Sequence, residues 1–189
     1  MRWQQLFEDL QAQFETEEAA AERAEVASRA RLEMGAVHLA ERLGGAFGSP
    51  LRLAVRGAGQ VAGVLLDEGP DWLLLEDDQG RELLVALAAV RTVAGLGRRT
   101  AVPEPAGTVR GRLDLRRALR GLARDRSAVQ LVLDDGGVVS GTLDRVGADY
   151  VELAVHPVDE PRRRESVQEV RAVVLAAVAV VRTVTPGVG

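Results

Sequence analysis

The sequence predicts a mainly β chain with helices (α+β): two tandem five-stranded small barrels, each preceded by a helix, behind a long N-terminal helix. Three observations predict it. The segment 51–76 is written again at 129–154, and at that offset 8 of 26 positions are identical, among them Leu53/Leu131, Val61/Val139, Gly63/Gly141 and Leu65/Leu143. Trp72 falls on Tyr150, an aromatic at the same point of both copies. The apolar period changes from helical to two at Leu51 and again after Ala128. A glycine stands in the middle of the second strand of each copy, Gly63 and Gly141, where a small barrel must bend sharply.

The elements follow in order. Trp3, Phe7, Leu10 and Phe14 keep 4-3-4 spacing, and Glu- and Ala-rich sequence without Pro or Gly continues the helix to about residue 31. A second stripe, Leu32, Ala36, Leu39 and Leu43, ends at Gly44-Gly45 before Ser49-Pro50. It opens the region 32–96, helix plus first barrel, whose strands are separated by Gly57, Gly59 and the Gly69-Pro70-Asp71 turn. Residues 97–111, with Pro103 and Pro105, read as linker. Residues 112–184 repeat the plan: a basic helix over 112–126, then five strands, with an insertion around 156–165 between the third and the fourth.

Composition bounds the chemistry. A chain of 189 residues accommodates one large or two small domains. Cysteine is absent, which removes disulfides, thiolate metal sites and Cys nucleophiles. Lysine and asparagine are absent too, so all 24 basic residues are arginine, and Schiff-base and Walker-A lysines are excluded. The start has no apolar run suited to a signal peptide. The longest apolar run, Ala172–Val181, is ten residues against the ~20 of a membrane span. The expectation is a soluble, cytoplasmic protein without a membrane partner. Charge is uneven: residues 97–126 carry 9 Arg against 3 acids (+6), whereas 1–34 carry 4 against 8 (−4), 35–96 carry 5 against 8 (−3) and 127–189 carry 6 against 9 (−3).

A helix followed by five short bent strands, with the run Val129-Gln-Leu-Val-Leu-Asp-Asp-Gly-Gly-Val-Val-Ser-Gly-Thr-Leu-Asp-Arg-Val-Gly-Ala-Asp-Tyr-Val-Glu-Leu153, resembles the first motif of the Sm-like family (Sm and Hfq proteins). Val174–Val181 and Ala86–Val93 resemble its last two strands and the short turn between them. The resemblance covers 51–96 and 129–184, and other SH3-like small barrels share its devices. It implies a small-barrel fold and pairing of a fourth strand with the fifth strand of a neighbouring barrel, within one chain or between chains. The family's RNA-contacting residues do not carry over. There is no Asn, Arg91 and Arg182 are followed by Thr, and Leu87-Ala88 and Leu175-Ala176 stand where Hfq-type proteins have Lys-His. The whole chain also resembles uncharacterised proteins of high-GC actinobacteria, which implies no activity.

Candidate chemistry is sparse. Gly57-Ala-Gly-Gln-Val-Ala62 satisfies GxGxxA, but a strand follows it rather than the helix a dinucleotide needs, so it reads as a hairpin turn. His38 and His156 have no partners at metal-ligand spacing and read as surface or half-buried residues. Asp71 and Asp149, in equivalent turns, are expected to bond their own backbone. No nucleophile, base and orienting group assemble, so the expectation is no enzyme, no cofactor and no metal. The leading expectation is an interaction or assembly module, acting through strand edges or through Trp3, Phe7, Leu10 and Phe14 on the N-terminal helix. That stripe fits either docking on the chain's own barrels or contact with a protein partner or second copy. The alternative is a nucleic-acid-binding regulator using Arg116, Arg117, Arg120 and Arg124, set opposite Leu115, Leu119 and Leu122 on one helix; the other reading of that face is a solvated helix surface.

Overall fold

The computed structural model describes residues 16–18, 20, 22–26, 28, 35, 37–101, 113–157 and 167–183. The chain divides into two units, 1–39 and 40–189. In the first, residues 16–18, 20, 22–26, 28 and 35 have helical backbone. The second holds almost all of the regular structure: α1 (Leu39–Gly44, which begins at the boundary), β1 (Pro50–Val55), β2 (Gly59–Glu68), β3 (Trp72–Glu76), β4 (Glu82–Ala86), a 3-10 turn (Leu87–Ala89) and β5 (Val90–Ala94). After these come α2 (Leu115–Arg124), β6 (Ala128–Leu133), β7 (Val138–Val146), β8 (Tyr150–Val155), β9 (Glu169–Val174), a second 3-10 turn (Leu175–Ala177) and β10 (Val178–Thr183).

The strands form where the period of two is written. In β1, Leu51, Leu53 and Val55 are buried while Arg52 is exposed. In β6, Val129 and Leu131 do the same work. Both second strands need their glycine because another backbone lies against it. A Cβ at Gly63 would stand 2.4 Å from the Glu76 carbonyl oxygen, and one at Gly141 would stand 2.0 Å from that of Ala154.

The ten strands lie in one open antiparallel sheet, in the order β5-β1-β2-β3-β4-β10-β6-β7-β8-β9. The duplication is exact in register. Leu53 faces Val93 and Leu131 faces Val181; Leu73 faces Val85 and Val151 faces Val173. The second strand of each copy slips by one residue against the third, after Leu65 in one copy and after Leu143 in the other. The Leu87 N–H donates to Asp71 O and the Leu175 N–H to Asp149 O, so even the turns repeat.

This architecture corrects the expected fold class. Among the described residues the protein is mostly β, a single open sheet with few short helices, not a two-barrel α+β chain of Sm-like or SH3-like type with a long N-terminal helix. Among the described residues no strand pairing closes either five-strand set on itself. The reason is where the fourth strand finds its partner. β4 pairs with β10 of the other copy, setting Val85 opposite Val180, Leu84 opposite Val181 and Leu83 opposite Arg182. Backbone groups that closure would have satisfied are satisfied across the copies instead.

That junction knits two cores together. Leu83 and Val85 of β4 face the core built on Leu51, Leu53, Leu65 and Leu75, which also takes Ala179 and Val180 from β10. Leu84 and Ala86 face the other core, with Leu119, Leu131, Leu143 and Leu153. Each core therefore contains side chains of both copies. The helix α2 lies over β7 and seals the second core with Leu115 and Leu119.

Two consecutive residues of the first copy hold the start of α2. Trp72 Nε1–H donates to Leu113 O at 2.6 Å, and Asp71 Oδ1 accepts from Leu115 N–H at 2.7 Å. Asp114 caps the helix as well, accepting from Arg117 N–H at 2.9 Å. Asp71 therefore departs from the expected local turn bond: its carboxylate reaches a helix terminus 44 residues away.

Candidate functional site

Two places in the sheet stand out: its two open ends. β5 and β9 each pair on one side only among the described residues. They are not arbitrary strands. By the repeat, β5 is the counterpart of β10 and β9 the counterpart of β4, the two strands that pair at the internal junction. Burial follows pairing. Val174 in β9 is 58% exposed, while Ala86, at the same position of β4, is 5% exposed. Likewise Arg91 and Thr92 of β5 are exposed where Ala179 and Val180 of β10 are buried. The free edges are blunted only lightly: β9 carries an Arg171–Glu169 ion pair beside exposed Val170 and Val174.

A charged contact flanks the junction. Arg56 Nη1 lies 3.3 Å from Asp134 Oδ2, and the same guanidinium donates to Ala88 O at 3.3 Å. Positions 56 and 134 are equivalent in the repeat, so one site carries opposite charges in its two copies. Arg56 N–H and Asp134 N–H donate to equivalent carbonyls, Ala89 O and Ala177 O. A half-exposed pair of this kind contributes little stability; what it sets is which charge meets which.

The arginine helix forms over Leu115–Arg124, with Leu115 and Leu119 buried and Arg117, Arg120 and Arg124 exposed. Arg116 is half-buried and lies 3.7 Å from Asp114; Arg124 lies 3.4 Å from Asp125. The Arg116 and Arg124 guanidiniums are thus engaged by carboxylates of the same segment. Trp3, Phe7, Leu10 and Phe14 lie outside the described residues. The glycine pattern of 57–62 is the expected hairpin turn, with Gly57 and Gly59 both at positive φ, joining β1 to β2.

One polar pair escaped the sequence reading. His156 is not a surface or half-buried residue: it is 2% exposed, with Nε2 2.8 Å from Thr142 Oγ1 and Nδ1 2.8 Å from Pro157 O. A carbonyl only accepts, so Nδ1 carries the hydrogen and Nε2 accepts from the threonine hydroxyl. In that tautomer both ring nitrogens are satisfied and the ring acts as packing. The first copy has Val64 and Asp78 at these positions, so the pair distinguishes the two halves.

Among the described residues no three His, Asp or Glu side chains gather as a metal site, and no helix is long and apolar enough to cross a membrane. No protein-family profile matches the chain, and no curated protein sequence matches it.

Proposed function

We propose that the chain is a non-enzymatic, cytoplasmic assembly module that joins copies of itself edge to edge, β9 of one chain beside β5 of the next. The observation that carries this reading is the β4–β10 junction, in which the fourth strand of one copy pairs with the fifth strand of the other. The sheet ends in the same two kinds of strand, unpaired. Carrying the internal register across the repeat sets Val173 opposite Thr92, Ala172 opposite Val93 and Arg171 opposite Ala94 of the next chain. The charges agree with it: continuing the pattern brings Asp134 beside Arg56 of the neighbour, again acid against base. Main-chain pairing supplies the attraction, and burial of Val174, as Ala86 is buried inside, adds to it.

Such a contact is heterologous, so it builds a ring if the rotation closes and a filament if it does not. Sedimentation of the purified protein over a range of concentrations tests it. The expected result is a series of species at multiples of the single-chain mass, and collapse to the single chain in Val174→Lys, whose exposed side chain leaves the fold undisturbed. A wild-type protein that stays a single chain at every concentration sinks the reading, as does a Val174→Lys variant that assembles normally.

A further inference from the structure

A second surface lies apart from the free edges, and none of its lining residues belongs to β5 or β9. A cavity of about 520 Å³ opens beside β1 and β2 of the first copy. Six of its lining residues, Ala62, Gly63, Val64, Glu76, Asp77 and Asp78, are by the repeat the counterparts of Ser140, Gly141, Thr142, Ala154, Val155 and His156. In the second copy that place is filled by the chain itself. β8 continues so that Val155 pairs with Gly141, the His156 N–H donates to Ser140 O at 3.3 Å, and the imidazole lies on the Thr142 hydroxyl.

The first copy lacks this filling. Pairing of β3 with β2 stops at Glu76 opposite Val64. The chain then turns back at Asp77, whose Oδ1 accepts from the N–H groups of Gln79 and Arg81 and whose carboxylate holds the Arg81 guanidinium. Asp78, at the position of His156, is exposed. Gly63 and Ala62 thereby have no register partner in β3, although the Glu76 carbonyl oxygen stands close to Gly63. The second copy supplies a worked example of what fits there: two or three extended residues, with one side chain laid over position 64.

We infer that this cavity binds an extended peptide segment of a partner protein, which adds beside β2 at Ala62–Gly63 and lays an apolar side chain over Val64. The main-chain part is the bond His156 N–H makes to Ser140 O, now offered by Ala62 O. The side-chain part follows from one atom. Thr142 gives an imidazole its hydrogen bond, and Val64 cannot, so a histidine there would leave a ring nitrogen unsatisfied while valine would not. Arg52 and Arg182 on the one hand, Glu76 and Asp78 on the other, offer both signs of charge to flanking residues of the peptide.

Two pentapeptides test it: Leu-Ala-Val-His-Pro, the sequence of residues 153–157, and the same peptide with valine for histidine. Titrated into the full chain and followed by amide resonances, the valine peptide should shift residues 60–64 and bind about tenfold more tightly than the histidine peptide, the ratio expected for one unsatisfied buried polar group. Val64→Thr should reverse the preference. Should that variant fail to fold, Ala62→Trp, at an exposed position, must abolish binding by filling the cavity. Absence of shifts at 60–64 with both peptides, shifts confined to other strands, or binding that ignores both substitutions overturns the inference. Assembly through β5 and β9 is read separately by sedimentation and is untouched by either result.

Discussion

Replacing Gly141 by alanine tests the claim that β7 needs its glycine because the backbone of β8 lies against it. The added Cβ would stand 2.0 Å from Ala154 O, where 3.4 Å is ordinary contact, so the two must separate by roughly 1.4 Å. The obstructing atom belongs to the backbone of β8 and cannot rotate away. Moving it strains the register pairs Thr142 with Ala154 and Gly141 with Val155. Loss of one or two ladder hydrogen bonds at about 1 kcal/mol each, with overpacking of about 1–3 kcal/mol, gives a loss of about 3 kcal/mol. In urea, with a slope of about 1–3 kcal/mol/M, the midpoint falls by about 1–2 M or more. Gly121→Ala in the middle of α2 is the internal control: nothing lies within 4 Å of its added Cβ, so it should gain about 0.5–1 kcal/mol from helix propensity. A Gly141→Ala protein within about 0.5 kcal/mol of wild type would refute the reasoning.

Four further outcomes are expected. Asp71→Ala should cost about 0.5–2 kcal/mol in denaturant titration by uncapping α2, whereas Asp149→Ala, at the same repeat position, should stay within about 0.5 kcal/mol. Thr142→Val should cost about 1–3 kcal/mol, because His156 Nε2 is left buried without its donor. Val181→Pro, in the middle of the sheet between Leu84 and Leu131, should cost about 3 kcal/mol or more and lower a single unfolding transition rather than split it, since both cores use β10. The Asp77 carboxylate is held below its ordinary pKa of 3.8, first by the Arg81 backbone N–H and then by the Arg81 side chain. Its stabilisation is therefore complete above that value and is lost as pH falls through the lower folded one. An Asp77→Asn protein should be less stable at neutral pH, with the difference closing in acid; an unchanged gap across an acid titration would show that the carboxylate's charge is not what matters.

The strands and their two inner glycines were legible because both are local signals. Alternation places Leu51, Leu53 and Val55 on one face, and a lone glycine inside such a run marks an approaching backbone. Pairing is not local, and closure of each copy was the error that followed. Yet a trace of the true pairing is written in the sequence. Leu83–Ala86 and Val178–Val181, the strands that meet at the junction, are unbroken apolar and buried, while Arg91-Thr92 and Arg171 interrupt the strands left at the ends. His156 was missed because a single histidine has no spacing signature. Its signal lies in the comparison of copies, where Val64 and Asp78 become Thr142 and His156 together. Asp71 was misread for the opposite reason: its recurrence as Asp149 pointed to a shared local role, whereas the Asp71 carboxylate meets the start of α2.

The proposed assembly follows from what duplication does to a heterologous contact. A contact between unlike surfaces, made once inside a two-copy chain, uses one surface of each copy and leaves the other of each exposed. The chain satisfies itself only if its two ends meet, and here β5 and β9 lie at opposite ends of a ten-strand order. Their apolar positions retain the character of the buried junction: Val173 and Val174 stand where Val85 and Ala86 stand, and Val93 where Val181 does. A free edge under no demand to pair accumulates charge, proline or a covering loop. Along β9 the charges are Glu169 and Arg171, paired to each other, and Val170 and Val174 stay in solvent. That combination favours an edge kept for a partner of matching register, and the strand of matching register that this chain carries is β5.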